Sequence, residues 1–233
     1  MSTLFKQITR DGNLENISGF GGYKRIYEEL IQQLRQGDIP TLAEHLELAL
    51  NQEGEAEVPF LGVTYLLSRA GVRRDDGQGF SDVTGSALIR YLLTGSCSRP
   101  AGEFVTFAML AGPLFRQGEY SSSAIERPII KRFERRAPEL LRVATSVGGR
   151  MGGIGGLDSV SILFDLLPHI LLQLIFYDKD DEFPARATLL FEKNSTQVLD
   201  FETLAVLVTI FVNFLTKSDP VSMIGKRASS GSP

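Results

Sequence analysis

Two apolar runs separated by a short acidic loop constrain the fold more than any other feature of this sequence. The runs are Ile170–Tyr177 and Ala187–Phe191. The loop between them carries the carboxylates of Asp178, Asp180, Asp181 and Glu182. Apolar runs of this length, bounded by a charged turn that contains proline, are typical of two buried antiparallel strands. We therefore predict a β-hairpin within a buried sheet, with the acidic loop at its tip.

Helical periodicity and capping residues predict helices elsewhere in the chain. The predicted helices are Tyr23–Leu34, Leu42–Leu50, a helix from Ser81 or Asp82 to Leu93, one that begins at Pro138 and ends at Gly148-Gly149, and Phe201–Leu215 with Asp200 as its cap. Ser123 and Glu126 have the spacing of a capping box. Strands are predicted on both sides of Gly62, with Pro59 at a sheet edge, over residues 102–110 and over 159–167, while residues 71–80 are predicted to be a loop. Helices come in groups and strands as hairpins, which indicates an α+β fold with an antiparallel or mixed sheet packed against several helices.

The last predicted helix also bears on domain organisation. Phe201–Leu215 is apolar nearly all round, so either the sheet or a second subunit has to cover it on most sides. A homodimer formed through helix 201–215 is therefore one expectation. Residues 21–216 are predicted to form a single domain, preceded by a flexible arm (1–20) and followed by a disordered tail (217–233).

Composition excludes several classes of protein. The chain has 24 basic and 28 acidic residues and a formal net charge of −4, so nothing indicates a nucleic-acid partner. Its longest apolar stretches fall short of the roughly 20 residues of a transmembrane helix, and the N-terminus lacks the apolar core of a signal peptide. We expect a cytoplasmic protein with no membrane partner. Cys97 is the single cysteine, which excludes an intramolecular disulfide and a paired-cysteine metal site.

The remaining motifs do not complete a catalytic constellation. The glycine-rich run at 148–159 follows a predicted helix and precedes a strand, the reverse of the order in phosphate-binding loops. The two histidines, His45 and His169, have no nucleophile motif beside them, and we interpret His169 as a hydrogen-bonded residue at the edge of the core. Cys97 is interpreted as an incidental thiol, although Arg99 could lower its pKa.

The acidic loop is the candidate metal site. Hard divalent cations prefer oxygen ligands, and the loop offers four carboxylates, those of Asp178, Asp180, Asp181 and Glu182. The spacing is not that of a calcium-binding helix–loop–helix, so a hairpin tip with solvated charges is the alternative.

Several segments together resemble a known protein family. They are IRYLL (89–93), GEFVTF (102–107), PIIKRFERRAPELL (128–141), VGG (147–149) and DLLPHILLQLIFYDKDDEFPARATLLFE (165–192), followed by an apolar helix with an acidic cap. In this order the chain resembles, from about Tyr23 to Leu215, the prokaryotic family catalogued as domain of unknown function 3786, which occurs largely in anaerobic bacteria and archaea.

The resemblance implies no activity, because none is established for the family. Some members carry a cysteine cluster beside this domain and look like iron–sulfur or corrinoid-associated proteins. With Cys97 alone, no iron–sulfur cluster is expected here. Two further departures are Phe107-Ala108-Met109-Leu110, where the family has Phe-Arg-Glu-Leu, and Leu157-Asp158, where it tends to have Gly-Asp.

These observations leave three functional hypotheses. The first is a non-enzymatic binding or accessory module of prokaryotic, anaerobe-type metabolism, with an unidentified protein or small molecule as its partner. The second is a metal- or cofactor-dependent enzyme that uses the acidic loop 178–182, with a divalent cation as the expected cofactor. The third is a homodimeric structural or interaction protein.

Overall fold

The computed structural model describes residues 21–111, 122–152 and 159–217. Within these ranges the helices are α1 (Gly21–Gln36), α2 (Ile39–His45), α3 (Asp82–Thr94), α4 (Phe107–Leu110), α5 (Ser122–Phe133), α6 (Ala137–Ser146), α7 (Ser195–Val198) and α8 (Phe201–Lys217). The strands are β1 (Ala56–Phe60), β2 (Val63–Ser68), β3 (Gly71–Arg74), β4 (Phe104–Thr106), β5 (Arg150–Met151), β6 (Ser159–Leu167), β7 (Ile170–Tyr177) and β8 (Arg186–Glu192). The α+β prediction is confirmed.

The predicted hairpin lies within a five-stranded sheet. Its strand order is β4-β8-β7-β6-β5, and every pairing is antiparallel. β7 and β8 are in register from Leu172 opposite Phe191 to Tyr177 opposite Arg186. On its other side, β7 pairs with β6 across a tight turn formed by Pro168 and His169. The side chains of β7 and β8 are largely buried on both faces of the sheet, which explains why these sequences are nearly continuous apolar runs.

The nearly all-apolar helix α8 is covered within the chain itself. Eleven of its side chains are buried, and the Phe211 ring lies 4.7 Å from that of Phe164 in β6. Helices α3 and α5 contact it from other directions. Asp200 caps the helix as predicted, since its Oδ1 accepts a hydrogen bond from the Thr203 amide at 2.9 Å. The apolar face that suggested a homodimer is therefore already occupied by elements of the same chain.

A second, three-stranded antiparallel sheet has the order β1-β2-β3. Pro59 lies in β1, at the edge of this sheet, as expected for a residue that cannot donate to a ladder. β3 falls in the segment predicted to be a loop, so that prediction is wrong. Its polar sequence is held by pairing with β2 and by the ion pair between Arg73 and the buried Glu55.

Other element boundaries also differ from the predictions. Only residues 104–106 of the predicted strand 102–110 are extended, and α4 follows directly. Residues 150–151 of the glycine-rich run form β5, and residues 153–158 lie outside the described ranges. Glu126 has a buried carboxylate that accepts the Leu189 amide of β8, and the side chain of Ser123, its predicted capping-box partner, lies outside the description. Residues 1–20 and 218–233, predicted to be arm and tail, are likewise outside the description, while Lys217 is the last residue of α8.

The end of α2 differs most from the sequence prediction. The predicted helix Leu42–Leu50 is wrong at both ends, because α2 begins at Ile39 and stops at His45. The Leu48 amide returns to the carbonyl oxygen of Ala43, and Glu47 takes a left-handed backbone with φ 54°. This turn directs the segment towards the β6–β7 hairpin. None of the helices in the described parts of the chain is long and apolar enough to span a membrane.

Candidate metal centre

Three segments that are distant in sequence meet at one point beside the β6–β7 turn. Glu47 follows α2, Cys97 follows α3, and His169 occupies the turn. One potential ligand atom from each of these residues lies within 4.8 Å of the other two. Among the described residues this is the only group of three or more histidine, cysteine or carboxylate side chains that converges so closely.

The hydrogen bonds of His169 determine which of its ring nitrogens is free. Its Nε2 lies 3.0 Å from the carbonyl oxygen of the buried Leu46. A carbonyl oxygen only accepts hydrogen bonds, so Nε2 carries the proton. In the neutral ring the lone pair is therefore on Nδ1, which lies 3.8 Å from the Sγ of Cys97. A left-handed backbone at His169, with φ 66°, directs the ring towards Leu46 and Cys97.

Glu47 completes the cluster from the solvent side. Its Oε2 lies 3.9 Å from Nε2 of His169, and its side chain is 71% exposed, against 17% for His169. Partial desolvation, followed by the Glu47 carboxylate, raises the pKa of the Cys97 thiol above its usual value. Arg99 acts on this pKa in the opposite direction but does not outweigh the other two. Arg99 thus lowers the pKa of Cys97 as predicted, but the net shift of this pKa is upward.

The loop that carries Cys97 is tied to α7 and to Asn194 before it, whose side-chain amide donates to the carbonyl oxygen of Arg99 at 3.1 Å. The Ser96 amide donates to the carbonyl oxygen of Val198 at 2.9 Å, and the Ser98 hydroxyl donates to the side chain of Gln197 at 3.2 Å. At the end of α3 the backbone of Gly95 packs against the carbonyl oxygen of Tyr91, in a position where a Cβ would overlap that oxygen. Cys97 thus lies on a loop whose position is set by contacts on both sides.

Tyr91 holds the turn that carries His169. Its side chain is fully buried in α3, and its hydroxyl donates to the carbonyl oxygen of Pro168 at 3.0 Å. Burial, with a smaller effect of Cys97, raises the pKa of this phenol, so the hydroxyl stays a donor at neutral pH. The residue directly before His169 is therefore anchored to the helix that leads to Cys97.

The four carboxylates of the acidic loop differ in their hydrogen-bond partners and exposure. Asp178 accepts the amides of Arg135 and Ala137 at 2.6 and 3.2 Å, and so caps the start of α6. Asp180 accepts the amides of Glu182 and Phe183, which lowers its pKa. The side chains of Asp181 and Glu182 are exposed. Two of the four predicted ligands are thus engaged by backbone amides, and the loop does not form a converging group in the described structure. Metal binding at this loop stays a prediction.

Sequence reasoning noticed two members of the observed cluster but did not connect them. Cys97 and His169 were each interpreted singly, and His45, the other histidine, ends α2 as an exposed residue outside the cluster. Glu47 was missed because it was placed inside a predicted helix. The one available signal was that the chain's single cysteine and a histidine both lie at turns that follow regular elements.

Comparison with known proteins adds a family. Residues 38–214 match the model of a family described as a domain of unknown function, DUF3786. This range contains Glu47, Cys97 and His169. No curated protein and no solved structure gave a significant match.

Proposed function

The chain belongs to the DUF3786 family, and we propose that this member is a non-enzymatic binding or accessory module whose ligand is a borderline divalent cation such as Zn²⁺. Glu47, Cys97 and His169 would hold the cation. The proposal includes a cytoplasmic location, which the sequence predicts, and a role in prokaryotic, anaerobe-type metabolism, which the family resemblance implies. Imidazole and thiolate ligands suit zinc and iron(II), whereas magnesium and calcium prefer sites made only of oxygen.

The orientation of His169 is the observation that carries this proposal. Metal-binding histidines almost always donate their second ring N–H to a carbonyl or carboxylate, which fixes the tautomer. The Leu46 carbonyl provides that acceptor, and Nδ1 is left facing the Cys97 sulfur. With metal–sulfur and metal–nitrogen bonds of about 2.3 and 2.0 Å, tetrahedral geometry places the two ligand atoms about 3.5 Å apart. The observed 3.8 Å is close to that separation.

Charge supports the same conclusion. A thiol, a carboxylate and an imidazole lone pair come together, and the carboxylate disfavours the thiolate. Without metal the thiol therefore keeps its proton. A bound dication would displace that proton and neutralise both the thiolate and the carboxylate.

A thiol enzyme is the second candidate, because a cysteine whose sulfur faces a histidine nitrogen can act as an activated nucleophile. The Cys97 Sγ lies 3.8 Å from the His169 Nδ1, so a potential base is next to the potential nucleophile. Its weakness is the carboxylate of Glu47, which raises the thiol pKa, whereas reactive cysteines need a lowered one.

Cobalt(II) titration of the full chain tests the proposal, since Co²⁺ replaces Zn²⁺ and reports thiolate ligation as an intense near-ultraviolet charge-transfer band. We expect this band in the parent protein and its loss in Cys97→Ser. We also expect weaker binding in His169→Gln and Glu47→Gln. Zinc should raise the melting temperature, because a ligand of the native state stabilises it.

A variant of the acidic loop provides the control. Changing Asp180 and Asp181 to Asn, together with Glu182→Gln, leaves the proposed cluster intact and should not alter cobalt binding. If this variant loses the metal while Cys97→Ser keeps it, the cation binds at the loop and the second sequence-based hypothesis gains support. If no cation shifts the melting temperature, the metal-binding proposal fails, and rapid alkylation of Cys97 by iodoacetamide would then favour the thiol enzyme.

A further inference from the structure

We infer that a metal held by Glu47, Cys97 and His169 keeps a coordination position for a small anion from outside the chain, such as hydroxide or a thiolate. This inference rests on the proposed function and specifies what the site binds besides the metal.

The first argument is the small number of cysteine and histidine side chains in the chain. Zinc takes four ligands in most protein sites, and structural sites are closed by four cysteine and histidine side chains. This chain has one cysteine and two histidines in its whole sequence. Its second histidine, His45, ends α2 with its side chain exposed and is not among the residues that converge. A closed nitrogen and sulfur site therefore cannot be built from Cys97 and His169 alone.

Exposure places the remaining position towards solvent. The imidazole of His169 is the inner ligand, with 17% of its side chain exposed. Glu47 is 71% exposed, and Cys97 is also exposed. Of the three side chains that would hold a metal, two therefore face solvent. Three protein ligands plus an accessible position are typical of sites that bind water or substrate rather than sites that only stabilise a fold.

Charge selects the kind of external ligand. A dication bound to one thiolate, one carboxylate and a neutral imidazole has no net charge. Arg99 lies two residues after Cys97 in the loop that follows α3, and its exposed side chain adds a positive charge to this segment. The assembly therefore favours a ligand with a single negative charge.

Azide and thiocyanate titrations of the cobalt-loaded full chain test this inference. We expect a saturable change in the visible d–d bands as the anion enters the coordination sphere. Arg99→Gln should weaken anion affinity by up to about fivefold, the range expected for loss of one exposed charge. Cobalt should still bind to this variant, because Arg99 is not a ligand and its positive charge does not attract the cation.

His45→Gln is the decisive control. If His45 were the fourth ligand, this substitution would change the cobalt bands and the anions would have no position to occupy. Either that result or d–d bands that ignore both anions would overturn the inference while the proposed function stands. Failure of cobalt to bind at all would instead overturn the proposed function and the inference with it.

Discussion

The hydroxyl of Tyr91 offers a test of how the turn that carries His169 is held. It donates to the carbonyl oxygen of Pro168 at 3.0 Å from a fully buried position. Tyr91→Phe removes this one polar contact and keeps the ring that fills the core. Without metal, we expect a loss of about 1 kcal/mol in the free energy of unfolding, the usual net contribution of one hydrogen bond.

With zinc bound, the loss should be larger. The Pro168 carbonyl precedes the proposed ligand directly, so releasing it lets the His169 ring move away from the position that the metal requires. Removing an outer contact of this kind typically lowers metal affinity by at least about tenfold. At saturating zinc, a tenfold weaker affinity subtracts about 1.4 kcal/mol from the stability conferred by the ligand. The difference between parent and variant should thus widen from about 1 to about 2.4 kcal/mol.

Urea denaturation followed by circular dichroism, with and without zinc, measures both values. Tyr65→Phe is the matched control, because it removes the hydroxyl of another buried tyrosine, one that packs against Phe60 and Phe80 in a different part of the core. Its effect should not depend on zinc. If Tyr91→Phe loses the same stability in both conditions, Tyr91 supports the fold alone, and the reasoning that links it to the metal is refuted.

Three further predictions concern stability. Asp178→Ala should lower the free energy of unfolding by about 1–2 kcal/mol, because two amides at the start of α6 lose their acceptor. Asp181→Ala, on the same loop but exposed, should change the free energy of unfolding by less than about 0.5 kcal/mol. Equal effects of the two substitutions in urea melts would contradict the capping role of Asp178. Burial raises the pKa of Glu126 above its ordinary value of 4.5. The protonated side chain therefore stabilises the fold fully below pH 4.5, and this stabilisation is lost as pH rises through the folded-state pKa. Glu126→Gln keeps an acceptor for the Leu189 amide without the buried charge, and it should raise the melting temperature at pH 7 more than at pH 4; the reverse order would show that the charge itself is needed. Gly95→Ala should lower the free energy of unfolding by about 1–3 kcal/mol, because the new Cβ would overlap the carbonyl oxygen of Tyr91. An unchanged denaturation midpoint would mean that the loop moves to accommodate the Cβ without cost.

Local patterns in the sequence were sufficient for much of the architecture. The hairpin of β7 and β8 and the apolar helix α8 were predicted to within about two residues, and Pro59 was placed correctly at a sheet edge. In each case the information lies within a short segment, in its hydrophobic spacing, its cap or its missing amide donor. β3 was missed, because its polar residues become a strand only when β2 supplies the hydrogen bonds and Glu55 supplies a partner for Arg73.

The candidate site depended on tertiary structure. Cys97 and His169 are 72 positions apart, and no local pattern relates them. Glu47 joins them because α2 ends at His45 and the chain then turns through a left-handed backbone at Glu47. The Leu46 carbonyl in this turn contacts the His169 ring, which lies far away in the sequence. The acidic loop shows the converse. Its four carboxylates are close together in sequence, yet the fold brings backbone amides to Asp178 and Asp180, which accept hydrogen bonds from them. Density of charge along the chain was a property of the sequence; convergence of ligand atoms on one point was a property of the fold.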